Sequence, residues 1–191
     1  MDDRGQRTNA NQDQFNPAAH LRAAKGIANP VPTTLPVGTV LYRFGSNRAQ
    51  GSKGSWWFGQ ESYDQIREFA LIQQLSFAYA ARVLAAVLHD YGEMTQLYSA
   101  RTAKPLGAYV GRSSAQVGKA VSVRGAWVRK DMIAVPTIAA TRPFLQYFIP
   151  GLHKSETADA VLAQRRLVRF VPPGESHMFG TKGAPKGALL Q

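Results

Sequence analysis

The chain of 191 residues contains no cysteine, which excludes disulfide bonds, thiolate zinc sites and cysteine nucleophiles. Its four histidines show no two-ligand spacing, so we expect no metal site. The sequence also lacks a G-x-x-x-x-G-K-[ST] loop, a G-x-G-x-x-G fingerprint and a G-x-S-x-G elbow. These absences argue against P-loop, Rossmann dinucleotide and α/β-hydrolase sites.

Long apolar runs are missing as well. The longest, Phe77–Leu88, is interrupted by Arg82 and is too short to cross a bilayer. The first residues are polar and no apolar segment of the signal-peptide type follows them. We therefore expect no signal peptide, no transmembrane span and no membrane partner.

Acidic residues are scarce. Twelve Asp and Glu stand against 23 Lys and Arg, which gives a formal net charge of +11. Residues 94–191 alone carry fourteen basic and four acidic side chains. Such a balance predicts an acidic partner such as nucleic acid, an anionic membrane or an acidic protein, although positive charge can also serve solubility alone. Apolar residues make up 45% of the chain, which is enough to build a core and excludes wholesale disorder.

Composition divides the chain after residue 36. Residues 1–36 are rich in Asn, Gln, Asp and Arg and contain four prolines, so we expect a flexible leader or linker. Asn16 followed by Pro17 predicts one short helix, ending near Lys25. Residues 37–191 are expected to form the folded domain.

Within this domain, hydrophobic periodicity predicts strands at Thr39–Phe44 and Ser55–Phe58, followed by one long helix, Glu61–Asp90. The second half of this helix is apolar almost all round, so we expect that half to be buried. A helix is expected at Ser155–Arg165 and a last strand at Leu167–Val171. Between the two helices the pattern predicts short strands at Leu97–Thr102, Leu106–Gly111, Ala120–Val123, Trp127–Val128, Ile133–Ile138 and Phe144–Ile149. This order predicts an α+β domain.

Polar side chains stand at three places in the predicted strands. Arg43 lies inside the first strand among aromatic residues, Ser55 opens the second, and Gln146 lies in Phe144–Ile149, which we expect to close the sheet. A charged side chain inside a strand needs a partner or a ligand. The arrangement resembles the ADP-ribosyltransferase family, in particular the small toxin domains at the ends of bacterial polymorphic toxins and secretion-system effectors.

The resemblance extends from about residue 37 to residue 169. It implies a fold of two packed, mostly antiparallel sheets with a long central helix. It also implies that Arg43 holds the phosphates or ribose of NAD and that Ser55 braces the site by hydrogen bonding. Either Trp56 or Trp57 would stack on the nicotinamide, since adjacent strand residues point to opposite faces. Ordinary core packing of the two tryptophans is the competing interpretation.

The position of Gln146 departs from the family pattern, which usually places Glu there to bind a ribose hydroxyl and to stabilise the oxocarbenium-like state. An amide can hydrogen-bond a hydroxyl but carries no charge and cannot act as a base. Three explanations are open. The chemistry tolerates Gln, the carboxylate comes from Glu61, Asp64 or Glu93, or the domain is not catalytic.

The resemblance therefore implies a mono-ADP-ribosyltransferase toxin that consumes NAD as co-substrate, with Arg43, Ser55 and Gln146 as its catalytic set. The basic second half points to a nucleic-acid acceptor, with ribosomal RNA expected and translation blocked as a result. The resemblance further implies an antibacterial effector that is delivered to the target-cell cytoplasm, a monomer, and a cognate immunity protein. The alternatives are modification of a protein such as a translation factor, and a non-enzymatic basic module that binds nucleic acid.

Overall fold

The computed structural model describes residues 15–45, 53–87, 94–117, 120–123, 126–129, 132–133 and 143–170. The helices in these ranges are α1 (Pro17–Ala23), α2 (Gln60–Ile72), α3 (Phe77–Leu84) and α4 (Ser155–Val161). The strands are β1 (Ile27–Leu35), β2 (Val40–Gly45), β3 (Trp56–Gly59), β4 (Gln96–Thr102), β5 (Leu106–Ser113), β6 (Gln116–Val117), β7 (Ala120–Val123), β8 (Ala126–Arg129), β9 (Met132–Ile133), β10 (Leu145–Phe148) and β11 (Leu162–Phe170).

Seven of these strands form one sheet in the order β1-β5-β10-β3-β2-β4-β11, and every pairing in it is antiparallel. Two short ladders, β6 with β9 and β7 with β8, lie apart from it. The α+β class predicted from the sequence is confirmed. The two packed sheets are not found among the described residues, because the short strand β3 bonds to a neighbour on each side and joins both halves into one sheet.

The long helix predicted for Glu61–Asp90 is two helices, and residues 88–90 lie outside the described part. α2 ends at Ile72, and Gln74, two residues later, has a left-handed backbone conformation (φ +52°). The N–H of Leu75 bonds to the carbonyl of Ala70 at 2.9 Å, which is the pattern of a Schellman cap. Ser76 then caps α3 by accepting from Tyr79 N. The expectation that the second half is a buried helix is confirmed, since every residue of α3 is buried.

The segment expected to be a leader belongs to the fold from residue 15 onward. The side chain of Asn16 caps α1, as the Asn-Pro pair predicted. β1 then pairs with β5 apart from a break between Ala28 and Val31, and both of its end residues, Ile27 and Leu35, are buried. The structure therefore departs from the boundary expected after residue 36. Residues 1–14 lie outside the described ranges.

Most strands predicted after residue 95 are confirmed, but two details differ. β10 does not close the sheet, since it lies third, between β5 and β3. The helix predicted to reach Arg165 ends at Val161, and β11 begins at Leu162. Most of the predicted strand Ile133–Ile138 and the tail from residue 171 lie outside the described residues.

Apolar side chains pack on both faces of the sheet. On one face Leu41 and Trp57 pack with Val161 of α4. On the other face Phe58 packs against α2 and α3, where Leu84 is fully buried. Because neighbouring residues of a strand alternate between faces, β3 places adjacent aromatic side chains in separate cores. This strand thus lies at the centre of the sheet and of its packing.

Candidate functional site

The sheet divides at β3. Trp56 and Trp57 pair with β10 on one side, whereas the next two residues, Phe58 and Gly59, pair with β2 on the other side. Past this crossing β2 runs on beside β4, and β10 runs on beside β5. The strand that carries Arg43 and the strand that carries Gln146 therefore diverge on either side of β3.

A cavity of about 480 Å³ lies at this divergence. This volume is typical of small-molecule sites. Five aromatic side chains line it, and none of the described lining residues is a carboxylate or a histidine. The polar side chains among the described lining residues are Arg22, Lys25, Arg43, Gln116 and Gln146. The buried guanidinium of Arg43 and a wall of aromatic rings favour a ligand that is both anionic and planar.

Arg43 is the most unusual of these side chains. Its Nε donates to the carbonyl of Phe44 at 3.3 Å, and its guanidinium carbon lies 5.6 Å from the centre of the Trp57 ring. Its Nη1 is buried, and no acceptor for it is found among the described residues. Burial lowers the pKa of Arg43 to about 10, so the group stays charged at neutral pH. A buried charged donor without an acceptor is costly unless a ligand supplies one.

Gly54 makes room for this guanidinium. Its φ is +141°, and a Cβ placed on it would overlap Nη1 of Arg43. Its backbone is held on both sides, since its N–H bonds to the carbonyl of Leu152 at 2.7 Å and its carbonyl accepts from Trp57 Nε1 at 2.6 Å. Glycine is therefore required both for the backbone conformation and for the close approach of Arg43.

Gln146 is fixed by the opposite wall of the cavity. Its Nε2 donates to the carbonyl of Ala85, at 2.8 Å, and to Ser113 Oγ. These bonds orient the amide, because only its nitrogen can donate to a carbonyl. Both N–H groups serve the fold, which leaves Oε1 as the atom that can accept a bond from a ligand. Gln146 itself is only 7% exposed.

The two tryptophans differ in their surroundings. Trp57 is 1% exposed and belongs to the core on the Arg43 side. Trp56 is half-buried and packs on Phe148 with ring centres 5.0 Å apart. Both contribute to the cavity lining, although we expected only one to do so. Trp56 is the ring with surface left for a ligand, and Trp57 is mainly a core residue.

Ser55 is not among the lining residues. Its carbonyl accepts from Ile149 N at 2.7 Å, a backbone bond that ties β3 to the end of β10. The two described candidate carboxylates also lie elsewhere. Glu61 is exposed on the first turn of α2, and Asp64 accepts from the side chain of Gln60 at 3.2 Å. Neither lines the cavity, and the third candidate, Glu93, lies outside the described residues.

Arg22 and Lys25 line the cavity but were not selected from the sequence. They lie in the segment expected to be a leader, where α1 ends and β1 begins. The available signal was the short helix predicted after Asn16. A helix of this length is not stable alone, so it must pack against the folded domain and bring its flanking residues with it. The described residues also include no helix that is long and apolar enough to cross a membrane.

No protein-family model matches the chain, and no curated protein matches it. Among solved structures, the chain is similar to that of Rhs1-CT in complex with its cognate immunity protein RhsI1. The two share 12% sequence identity at a TM-score of 0.40, over 90% of this chain and 100% of that chain. A similarity at this level identifies no family, so the cavity has to be interpreted from its own geometry.

Proposed function

We propose that the chain is an ADP-ribosyltransferase of the toxin type, which uses NAD as its co-substrate. The observation that carries this proposal is the buried guanidinium of Arg43, whose Nη1 meets no acceptor among the described residues. It contributes to the same cavity as Gln146 and a set of aromatic rings. NAD combines the two features that such a cavity favours, a diphosphate and planar rings.

In this proposal Arg43 binds the diphosphate. A guanidinium stays charged at neutral pH and can form two parallel hydrogen bonds to phosphate oxygens. The free Nη1 would supply one of these bonds, which would remove the cost of leaving a buried donor unmet. Gly54 and Trp57 hold the group in place from the sides.

The opposite wall would hold the nucleoside part. The exposed surface of Trp56 offers a face for the cationic nicotinamide ring. Gln146 Oε1 would accept a hydrogen bond from a ribose hydroxyl, with its orientation fixed by Ala85 and Ser113. Because this amide is neutral, it positions the ribose but cannot take a proton.

When bound, NAD supplies an ADP-ribosyl group bonded to a cationic nicotinamide ring, and this ring can leave as neutral nicotinamide. The acceptor nucleophile forms the new bond to the ribose carbon while the bond to nicotinamide breaks with its electron pair. Its proton passes to solvent, since no described lining residue is a carboxylate or a histidine. Transfer therefore depends on an acceptor that arrives positioned and reactive.

RNA is the acceptor that the charge distribution favours. Residues 94–191 carry a net charge of +10, and phosphate contacts would hold a polynucleotide while one of its hydroxyl or base atoms attacks. Delivery as a toxic effector and neutralisation by an immunity protein complete the proposal. One observation favours a second candidate, a module that binds nucleic acid without catalysis, namely the lack of a carboxylate among the described lining residues.

The test is nicotinamide release from NAD, measured with and without added RNA. We expect Arg43→Lys to lower turnover about 10- to 100-fold, because a charge-assisted hydrogen bond contributes about 1.5–3 kcal/mol. Arg67→Lys is the matched control, since Arg67 is exposed on α2 and lies outside the cavity lining. Full turnover in a folded Arg43→Lys protein contradicts the role of Arg43. RNA binding without any nicotinamide release favours the non-catalytic module.

A further inference from the structure

The chain turns sharply between α1 and β1, and we call residues 22–26 the α1–β1 corner. The side chains of Arg22 and Lys25 are exposed there. The backbone beneath them is fixed, because Gly26 O accepts from Ser114 N at 3.0 Å and Lys25 O accepts from Gln116 Nε2 at 2.7 Å. The corner therefore presents two cations from a rigid base.

This base lies directly against the cavity. A Cβ on Gly26 would come within 2.7 Å of a ring atom of Trp56, so the backbone of the corner rests on that ring. Trp56 in turn packs on Phe148, which also lines the cavity. Arg22 and Lys25 thus reach the cavity from the side of Trp56.

Arg43 reaches it from the other side. Its guanidinium lies by Trp57, and adjacent residues of a strand point to opposite faces. The two groups of cations also differ in solvation, because Arg43 Nη1 is buried whereas Arg22 and Lys25 are exposed. A buried cation suits a small ligand that fills the cavity, and exposed cations at its opening suit a large ligand that stays partly in water.

The corner carries free positive charge. Neither Arg22 nor Lys25 forms an ion pair within the described part of the chain, whereas Arg67 pairs with Asp64 and Arg165 pairs with Asp159. No described carboxylate lines the cavity beside them. Two unpaired cations on a fixed backbone attract a phosphate, and they do so more strongly at low salt.

We propose that the α1–β1 corner is the acceptor subsite and binds a backbone phosphate of single-stranded RNA. The acceptor role of the bound RNA rests on the proposed function, whereas the RNA contact itself needs no NAD. Arg22 and Lys25 hold the strand at the opening, where a nucleotide can reach the ribose held by Gln146. Arg43, at the other side of β3, remains the group for the co-substrate.

The experiment measures binding of a fluorescent single-stranded ribo-oligonucleotide by anisotropy over a range of salt concentrations, without NAD. The double variant Arg22→Gln, Lys25→Gln is compared with Lys104→Gln, Lys154→Gln, which removes the same two charges from exposed positions outside the cavity lining. Each lost phosphate contact lowers the slope of log affinity against log salt by about 0.7 for a single strand. We expect a loss of about 0.7 for the corner variant, since it removes one phosphate contact, and no change for the control.

Calorimetric titration with NAD separates this proposal from the previous one. The corner variant should bind NAD as the unmodified protein does, whereas Arg43→Lys should bind RNA normally and NAD weakly. Equal loss of RNA affinity in the corner variant and its control overturns the subsite, because the attraction would then be diffuse. Weaker NAD binding in the corner variant overturns it too, since the corner would belong to the NAD site. If the corner variant modifies a protein acceptor as fast as the unmodified protein does, the subsite is overturned as well.

Discussion

The two walls of the cavity hold their polar groups in different ways. On the β2 wall, Arg43 is desolvated and keeps a donor that no described residue satisfies. On the β10 wall, Gln146 spends both N–H groups on Ala85 and Ser113. On the first wall a buried donor is left unpaired, which lowers the stability of the fold but leaves that donor for a ligand. The polar group of the second wall contributes to the fold, and only its remaining oxygen is left for a ligand.

The variant with the largest expected effect lacks β1 and the α1–β1 corner, which lie on the same side of β3 as β10. We expect deletion of residues 1–36 to abolish the cooperative thermal transition, since it removes β1 and the α1–β1 corner from the sheet. A leader that contributed nothing to the core would leave the melting temperature nearly unchanged. Single substitutions grade the effect. Ile27→Ala should cost about 2–5 kcal/mol as a buried residue, whereas exposed Leu21→Ala should stay within about 0.5 kcal/mol.

The next test strikes the β2 wall. Gly54→Ala should destabilise the protein through backbone strain and through displacement of Arg43, each costing about 1–3 kcal/mol. NAD binding should fall with it. Gly38→Ala is the matched control, because φ is +82° there but a Cβ would meet nothing within 4 Å. Urea denaturation of both variants should show the larger loss at Gly54. Equal losses would mean that the guanidinium yields easily.

The smallest expected effect distinguishes an amide from a carboxylate on the β10 wall. Gln146→Glu would set a carboxylate against the carbonyl of Ala85, which should cost about 1–3 kcal/mol at neutral pH. Only the protonated carboxyl can donate to this carbonyl, so the folded state favours the protonated form and raises the pKa of the introduced group. Stability should therefore be fully present below pH 4 or so, near the unfolded pKa, and be lost as the pH rises through the folded value.

Gln146→Leu is the control for that experiment, since it removes the hydrogen bonds without adding a titratable group. Its loss of stability should not depend on pH between about 4 and 7. If Gln146→Glu is as stable as the unmodified protein at pH 7 and releases nicotinamide faster, the position accepts the carboxylate that the family pattern usually has. The amide would then be a substitution rather than a requirement of the fold.

The sequence predicted the local structure of β2, β3 and α3 well, but it did not predict β1. The prolines of this segment, Pro30 and Pro32 among them, break any helix, and its polar composition favoured an extended linker. β1 lies at the edge of the seven-stranded sheet, where one row of N–H groups needs no partner and proline is tolerated. Its pairing is interrupted between Ala28 and Val31, next to Asn29 in the left-handed region. An edge position is a property of the sheet and cannot be read from the segment alone.

The break between α2 and α3 was hidden for a related reason. Left-handed residues that end helices are usually glycine, and here the position is Gln74. Glutamine adopts this conformation at a cost in backbone strain, and a polar glutamine gives no sign of a helix end in the hydrophobic pattern. Ser76, a good N-cap, was the remaining signal.

Parts of the candidate site could be anticipated and others could not. A charged residue inside an apolar strand drew attention to Arg43, and the structure shows that its guanidinium is indeed buried and short of acceptors. The place of Gln146 in the same cavity depends on β10 lying beside β3, a pairing between distant segments. Arg22 and Lys25 depended on β1, so they were missed together with it. The assignment of NAD and of catalysis stays a prediction.

The order of strands in the sheet also determines when the cavity can exist during synthesis. β2 and β3 leave the ribosome before β10 and can pair with each other, but β3 gains its second neighbour only when β10 follows. A nascent chain that stops before β10 has Arg43 without an opposite wall. Since chains emerge N-terminus first, the complete cavity can form only after β10 has left the ribosome.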